Sequence, residues 1–269
     1  MSRIDAALHE LRSLDTMALR DTPLARLDPR AKVIATLAFI LVVVSFDRYA
    51  LAPLLPLAAY PLALAALGDV PARMLARKLL IAAPFAVLVG LFNPLLDRAP
   101  LVVFGDIGIA GGWVSFASIL LRFALTVSAA LLLLAGTGMQ PLAAALGRLG
   151  VPSVFTAQLA FLYRYAFVLG GEASRMATAR RLRGGGSAAA PAEYGPLVGH
   201  LLLRAFERAQ RVHQAMRARG FDGEVRDPRP LAWTRRDTAF VALWCAFFAL
   251  ARAVDLPAAL GGALLALAR

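Results

Sequence analysis

The sequence predicts an all-α integral membrane protein with about five transmembrane helices and two or three long cytoplasmic helices. Hydrophobic residues make up 59% of the 269 residues and charged residues only 17%, against about 25% charged residues in a typical soluble protein. Several apolar runs approach the length of roughly 20 residues that a helix needs to cross a bilayer. Basic residues are concentrated between these runs, as the positive-inside rule of membrane topology favours.

The positive charge of the chain does not indicate nucleic-acid binding. The net charge is +12 at pH 7, which by itself raises nucleic acid as a partner. The arginines, however, lie in loops and terminal segments between apolar runs, where membrane topology accounts for them. We therefore expect a lipid bilayer and no nucleic acid as partners. The single cysteine, Cys245, cannot form an internal disulfide.

The predicted spans carry recognisable start, break and burial signals. Asp28 followed by Pro29 is typical of a helix N-cap and first helical position, so the first helix is expected to start there. Three prolines in the second span predict a kinked or broken helix, which is tolerated where neighbouring protein satisfies the backbone. Arg122 inside the fourth span is expected to be buried or paired. The predicted spans are 33–46, 51–67, 79–96, 113–135 and 238–254.

Several shorter segments flank or connect the spans. Residues 73–78 form a basic loop, residues 97–112 an ordered loop or hairpin, and residues 141–149 a short helix. Residues 1–27 are predicted to include an amphipathic surface helix, because charges separate their apolar positions. The apolar tail at 256–268 is too short to cross the bilayer as a straight helix.

The orientation of residues 154–170 decides the topology of everything that follows them. They are apolar enough to span, yet they contain Gln158 and Arg164. If they crossed, residues 171–236, with 13 arginines and six acidic residues, would lie outside, against the positive-inside rule. We prefer a slanting or interfacial helix that continues to Arg183 as one helix of about 45 Å, and full crossing is the alternative.

The chain is predicted to divide into three parts. Residues 1–135 hold the amphipathic segment and four spans, residues 136–236 the cytoplasmic or interfacial long helices, and residues 237–269 the last span and tail. Within the middle part, residues 184–196 are rich in glycine, alanine and proline, which predicts a hinge-like linker. A second long helix is predicted from about Leu197 to Arg219.

The two long helical patterns end alike, in arginine followed by glycine. Arginine in a last turn complements the helix dipole and glycine at C′ is a common stop, so each ending alone indicates a helix cap. Two such endings on consecutive helices favour binding, because a planar guanidinium suits a carboxylate on a soluble partner. The candidate binding residues are Arg180, Arg183, Gly184, Ala218, Arg219 and Gly220.

The second long helix also carries an apolar face at a spacing of three or four residues, which is typical of an amphipathic helix. Glu207 is placed to pair with Arg211 one turn later. We expect the apolar face to support the arginine endings. It consists of Leu202, Phe206, Ala209, Val212 and Met216.

No catalytic constellation is recognisable in the sequence. The glycines at 184–186 lack the lysine and the preceding strand of a phosphate-binding loop, so they are interpreted as part of the linker. His9, His200 and His213 do not pair with another histidine or cysteine at metal-ligand spacing. We therefore expect no enzyme activity, no cofactor and no metal site in this chain.

Two segments resemble a known transporter family. Asp28-Pro29-Arg30-Ala31-Lys32 resembles the start of the T component of energy-coupling factor (ECF) transporters. Leu182-Arg183-Gly184 and Ala218-Arg219-Gly220 look like that family's paired Ala-Arg-Gly motifs, with Leu182 in place of the first alanine. The run 207–223 is especially similar to the cobalt and nickel branch, the CbiQ-type proteins, and the resemblance extends over about residues 20 to 255.

The resemblance implies a scaffold in the bacterial cytoplasmic (inner) membrane. Its coupling helices would lie in the cytoplasm and contact two ABC-type ATPase subunits through the motif arginines, with the first centred on Arg183 or Arg180. A separate CbiM-like membrane subunit would bind the substrate. Cobalt or nickel is the first expectation for the substrate of this importer, and a vitamin is the second. A stand-alone permease or channel that uses Arg122 and Arg164 is the alternative from a different class.

Overall fold

The structure, a computed structural model, describes residues 15–96, 100–104, 107–184, 191–223 and 232–254. These residues form two compact units. The apolar unit comprises 17–96, 100–104, 107–138 and 232–254, and the arginine-rich unit comprises 15–16, 139–184 and 191–223. The predicted amphipathic residues of 1–14 and the tail at 256–268 lie outside the described residues.

Helices dominate both units. In the apolar unit, a two-stranded hairpin is inserted between the fourth and fifth helices. The elements in chain order are α1 (Pro29–Val44), α2 (Ala59–Leu67), α3 (Ala72–Gly90), α4 (Phe92–Leu96), β1 (Pro100–Phe104), β2 (Ile107–Ala110), α5 (Gly111–Thr137), α6 (Met139–Arg148), α7 (Ser153–Arg183), α8 (Pro191–Ala218) and α9 (Arg235–Ala253).

Helix α1 begins where the sequence predicts. Asp28 is its N-cap: the Asp28 side chain accepts a hydrogen bond from the backbone N–H of Arg30 at 2.8 Å, and Pro29 takes the first helical position. The Arg30 guanidinium also forms a two-pronged ion pair with the Asp28 carboxylate. Burial alone would raise the pKa of Asp28, but the bonds from Arg30 and the charges of Arg30 and Lys32 hold this pKa below its usual range.

The predicted second span is broken, as its prolines indicate. Two 3-10 turns, Ala52–Leu54 and Pro56–Ala58, precede the nine-residue helix α2. Each turn has a proline in its first two positions, where the missing N–H removes no helical hydrogen bond. The prediction of a kinked or broken helix in this segment is confirmed.

The prediction of a basic loop at 73–78 is wrong. Helix α3 starts at Ala72, directly after Pro71, so Arg73, Arg77 and Lys78 lie in its first two turns. Their long side chains do not oppose helix formation, because arginine and lysine have high helix propensity. As a result the apolar stretch and the basic residues form one continuous helix.

Two stretches are long and apolar enough to cross a membrane among the described residues: Ala72–Pro94 and Gly111–Thr137. Most of Ala72–Pro94 is exposed in the single chain, with 11% of its most apolar window buried. Phe85 and Leu80 on α3 are 73% and 71% exposed. An apolar helix with this much exposed side-chain surface fits a lipid or protein environment, not water.

The segment between α4 and α5 is a hairpin, one of the two forms that the sequence predicts for residues 97–112. Strands β1 and β2 pair antiparallel, with Phe104 opposite Ile107. A register shift between Pro100 and Val102 marks an irregularity at the open end of the ladder.

The core of the apolar unit is an aromatic cluster that joins α1, α2 and α9. The rings of Phe39 and Tyr60 lie 4.8 Å apart, and Phe248 packs edge-on against Tyr60 at 5.3 Å. Trp244 stacks on Phe248 at 5.8 Å. The Tyr60 hydroxyl shares a 2.8 Å hydrogen bond with Thr36, so the one polar atom of this tyrosine ring is satisfied in the core.

Arg122 of α5 is paired with backbone, in agreement with the expectation for an intramembrane arginine. One terminal nitrogen of its guanidinium donates to the carbonyl oxygen of Asp47, in the turn after α1. Its Nε is buried and has no hydrogen-bond partner among the described residues. Nearby, the Ser118 hydroxyl donates to the Ala50 carbonyl at 3.3 Å, so α5 is tied to this turn by two polar contacts.

The arginine-rich unit is built from α6, α7 and α8. The short helix predicted at 141–149 is present as α6, and residues 153–183 form one continuous helix, as predicted. The second long helix begins at Pro191, not at Leu197 as predicted, because Pro191 is suited to a first helical position. Residues 191–196 are therefore helical, and of the predicted hinge 184–196 only residues 185–190 lie outside the described residues.

Candidate functional site

The two long helices pack as an antiparallel pair. Phe161, near the start of α7, contacts Phe221, just past the end of α8, with ring centroids 6.5 Å apart. Midway along both helices, Glu172 of α7 forms an ion pair with Arg204 of α8. Residue numbers therefore rise along α7 while they fall along α8, so the helices run in opposite directions.

This arrangement places the two arginine endings at opposite ends of the helix pair. Arg183 is the last residue of α7, whereas Arg219 follows the last residue of α8, two residues before the Phe221 that contacts Phe161. The 22-residue step from Phe161 to Arg183 corresponds to about 33 Å at 1.5 Å per residue. The two endings cannot meet in one binding pocket, but they can occupy two pockets about that distance apart.

The second ending is a rigid helix terminus. Gly220 has a left-handed backbone with φ of 78°. The N–H of Phe221 donates to the Met216 carbonyl, and the N–H of Gly220 donates to the Arg217 carbonyl, both at 3.0 Å. These two bonds define a Schellman motif with Arg219 as its C-cap residue. Ala218, Arg219 and Gly220 are all exposed, so the Schellman motif fixes the backbone of an arginine that is open to solvent.

The first ending has a different geometry. Gly184 caps α7 with φ of −88°, outside the left-handed region, and its N–H donates to the Arg180 carbonyl at 2.9 Å. Arg183 is exposed and Arg180 is half-buried. Both residues stand in the last turn with Arg181, as the helix dipole favours. The sequence motif alone did not show that only one of the two glycines takes a left-handed conformation.

We expect the two glycines to respond differently to substitution. Gly220→Val forces a β-branched residue into the left-handed region, at a cost of about 1–2 kcal/mol. Hydrogen–deuterium exchange should then accelerate at residues 214–221. Gly184→Val, the matched control, keeps a backbone that any residue adopts, and exchange at 178–184 should not change. Equal responses at both ends would contradict the assignment of a Schellman motif to α8 alone.

The predicted apolar face of α8 is only partly covered by α7. Val212 and Met216 are half-buried, whereas Ala209 is exposed and Leu202 and Phe206 are 55% and 60% exposed. Val198 and Leu203 extend this exposed apolar surface, at 61% and 62% exposure. The support that this face lends to the arginine endings stays a prediction. The part of the face formed by Leu202 and Phe206 is exposed.

Glu172 is a structural residue of this pair that the sequence prediction missed. Its carboxylate accepts from Arg175 on its own helix at 2.6 Å and from Arg204 on α8. Hydrogen bonds from Arg175 and Arg204 hold the pKa of Glu172 below its usual range. A signal was present in the sequence, because Glu172 is the single acidic residue of α7, but the partner 32 residues away was not evident.

The Glu172 bridge predicts a pH-dependent helix pair. A carboxylate whose pKa is lower in the folded state stabilises that state at neutral pH, and this contribution is lost as the pH falls through the lowered pKa. Spin labels at Thr178→Cys and Val198→Cys, two exposed positions, with Cys245→Ser, should therefore show a broader distance distribution once the pH falls below the ordinary pKa range of a glutamate. In Glu172→Gln the distribution should be broad at every pH.

Glu207→Gln is the control, because its pair with Arg211 is exposed and 3.7 Å long, and such a pair contributes little. Distributions that stay narrow in Glu172→Gln would contradict the role of the bridge.

A groove between α7 and α8 is lined by most of the charged residues of α8. Two apolar residues of α7, Val168 and Leu169, and Glu172 form one wall. The other wall carries Glu207 and three arginines of α8. Among these, Arg208 has no ion-pair partner in the part of the chain that the structure describes. Among the described residues of this groove, Arg208 is therefore the arginine left without an ion pair.

Residues 20–229 of the chain match the sequence model of the CbiQ family, described as cobalt transport protein. The chain belongs to the CbiQ family. No curated protein shows significant similarity to it. The matched residues include the Asp28 cap, both long helices and both arginine endings. Family membership, together with the two apolar helices, makes the chain a membrane component of cobalt transport, which works with other transport subunits.

Proposed function

We propose that this CbiQ-family chain is the T subunit of an ECF-type importer in the bacterial inner membrane. It is a multi-pass scaffold with five spans, and it keeps residues 171–236 in the cytoplasm. Two ABC-type ATPase subunits bind its two long helices, and a CbiM-like membrane subunit binds the substrate. Cobalt is the substrate that the family match supports, with nickel as the related metal.

The observation that carries the proposal is the placement of Arg183 and Arg219. Both are exposed, and they stand at opposite ends of one antiparallel helix pair, about 33 Å apart along its axis. One chain then presents a guanidinium to each of two ATPase subunits. An exposed guanidinium beside a helix end suits a carboxylate that accepts two parallel hydrogen bonds.

The chain itself contributes no chemistry in this proposal. ATP is hydrolysed by the partner ATPases, and the metal is bound by the separate membrane subunit. The work of the chain is mechanical: a movement of the ATPases displaces the ends of α7 and α8, and these helices pass it to the membrane helices.

Uptake of radioactive cobalt into cells tests the function. Cells that express the chain with its ATPases and the substrate subunit should accumulate cobalt, and omission of either partner should abolish accumulation. Uptake by the purified chain in liposomes without ATP would contradict the proposal and support a stand-alone permease. ATP-dependent uptake of a vitamin in place of cobalt or nickel would retain the scaffold role and change the substrate.

Cysteine labelling tests the proposed topology. In a Cys245→Ser background, Gln214→Cys places a thiol at an exposed position of α8. A membrane-impermeant maleimide should fail to label it in intact cells and should label it after the cells are opened, because the arginine excess favours the cytoplasm. Labelling in intact cells would mean that residues 154–170 cross the membrane.

A further inference from the structure

The chain passes between its two units at three places, and a buried polar cluster within the apolar unit holds the chain close in sequence to two of them. The passages fall between residues 16 and 17, between 138 and 139, and between 223 and 232. Within the apolar unit, charged and hydroxyl groups from α1 and the start of α9 lie together with carbonyl oxygens from other parts of the unit. We call this set the anchor cluster; it consists of Asp28, Arg30, Lys32, Thr234 and Asp237.

Lys32 holds the end of helix α5. This lysine is 2% exposed, and its ammonium group donates to the Gly136 carbonyl at 2.9 Å and to the Leu24 carbonyl at 3.2 Å. Gly136 is in the last turn of α5, two residues before the passage into the arginine-rich unit. The last carbonyls of a helix have no intrahelical partner and carry the negative end of its dipole, so a buried cation there stabilises the terminus.

Asp237 holds the start of helix α9 and joins it to α1. It is 1% exposed, and its Oδ2 accepts from the Thr234 N–H at 2.8 Å and from the Thr234 hydroxyl at 2.6 Å. Its Oδ1 accepts from the Asp28 N–H at 2.7 Å. The same carboxylate thus caps the first turn after the chain returns to the apolar unit and ties it to the N-cap of α1.

The charges of the cluster balance each other across elements. Two carboxylates, Asp28 and Asp237, face the cations of Arg30 and Lys32, which interact electrostatically with both of them. Arg30 also lies over the ring of Trp233, 5.5 Å from its centroid. Removal of Lys32 or of Asp237 therefore leaves one unbalanced charge in the cluster, while the other ion pairs remain.

We propose that the anchor cluster is the point at which movement of the long helices is transmitted to the membrane helices, with Lys32 and Asp237 as positioning residues. The inference rests on the proposed ATPase-coupling function. A force on α6 or on the segment before α9 acts on the end of α5 or on the start of α9, and the cluster fixes both of these helix ends. When these ends are fixed, α5, α9 and α1 must move together; when they are loose, the pull unwinds the last turn of α5 instead.

The test uses the full complex of the chain with its ATPases and substrate subunit. Lys32→Met removes the ammonium donor and keeps a side chain of similar length. Asp237→Asn keeps one acceptor oxygen and a side chain of nearly the same volume. We expect both variants to bind the ATPases and hydrolyse ATP as the native chain does. Cobalt transported per ATP hydrolysed should fall by about fivefold or more, the range of a coupling energy.

Thr126→Val is the matched control, because within the described part of the chain the Thr126 hydroxyl bonds only to carbonyls of its own helix. Its transport ratio should equal that of the native chain. An unchanged ratio in both Lys32→Met and Asp237→Asn would overturn the proposal. If neither variant accumulates as a folded chain, the cluster serves stability alone, and the proposal is likewise overturned.

Hydrogen–deuterium exchange on the purified chain separates this inference from the function on which it rests. Exchange at residues 134–139 should accelerate about tenfold in Lys32→Met, since the Gly136 carbonyl loses its buried hydrogen bond. Unchanged exchange there would show that the cluster does not hold this terminus. A native chain that fails to bind ATPases would overturn the proposed function, whereas faster exchange in the variant would still support the anchor.

Discussion

Replacement of Arg219 by alanine is expected to weaken ATPase binding by about 2–5 kcal/mol, the loss seen when one partner of a buried interfacial charge pair is truncated. The lower end of this range is about a 30-fold weaker affinity. The effect should be large because the Schellman motif fixes the Arg219 backbone before binding, so few conformations are lost on association. Arg183→Ala should weaken binding at the other end of the pair, and the double variant should not assemble.

Arg217→Ala is the control for the simpler interpretation of these arginines as helix caps. Arg217 lies in the last turn of α8 and is exposed, so it shares the dipole effect with Arg219. That effect amounts to about 0.3–1 kcal/mol. Binding is measured by ATPase co-purification and affinity. If Arg217→Ala and Arg219→Ala weaken ATPase binding equally and only slightly, the arginine endings act only as helix caps. Arg180→Ala, compared with Arg183→Ala, decides which arginine of α7 makes the contact.

Gly136→Ala is expected to destabilise the apolar unit by about 1–3 kcal/mol, the usual range for an overpacked core. A Cβ at this position would lie 2.4 Å from Cδ2 and 3.0 Å from Cγ of Leu24. Leu24 is fully buried and cannot move into solvent. The clash also displaces the carbonyl that Lys32 binds, so thermal unfolding in detergent should begin at a lower temperature.

Two further variants make the Gly136 prediction specific. Gly199→Ala makes the same substitution on α8, where nothing lies within 4 Å of the added Cβ, and it should stabilise its helix by about 0.5–1 kcal/mol. Leu24→Ala is destabilising by itself because it empties a core position, but it should make Gly136→Ala neutral when the two are combined. Additive losses in the double variant would contradict the close contact of Leu24 with Gly136.

Local signals in the sequence predicted the features that depend on near neighbours. Asp28 and Pro29 predicted the start of α1, and the prolines of 51–67 predicted the break before α2. The single long helix 153–183 was predictable because no proline or cap interrupts it. The start of α8 was predicted six residues late, because the glycines and prolines of 184–196 suggest a linker although Pro191 begins a helix.

Contacts between distant residues could not be predicted in this way. The ion pair of Glu172 with Arg204 joins residues 32 apart, and the bond of Lys32 to Gly136 joins residues 104 apart. Nothing in the motif Asp28-Pro29-Arg30-Ala31-Lys32 indicates that its lysine closes the end of another helix. The repeated arginine–glycine ending likewise suggested two equivalent tips, whereas their backbones differ and they lie at opposite ends of one helix pair.

Site-specific cross-linking tests the central claim, that the two arginine endings hold two ATPase subunits, most directly. A photo-reactive amino acid is placed at residue 183, at residue 219, or at both, in the complex assembled in the native membrane. We expect an ATPase cross-link from each position and, from the doubly labelled chain, a product that contains two ATPase subunits. Cross-links only to lipid or to the substrate subunit, or a doubly labelled chain that captures a single ATPase subunit, would contradict it.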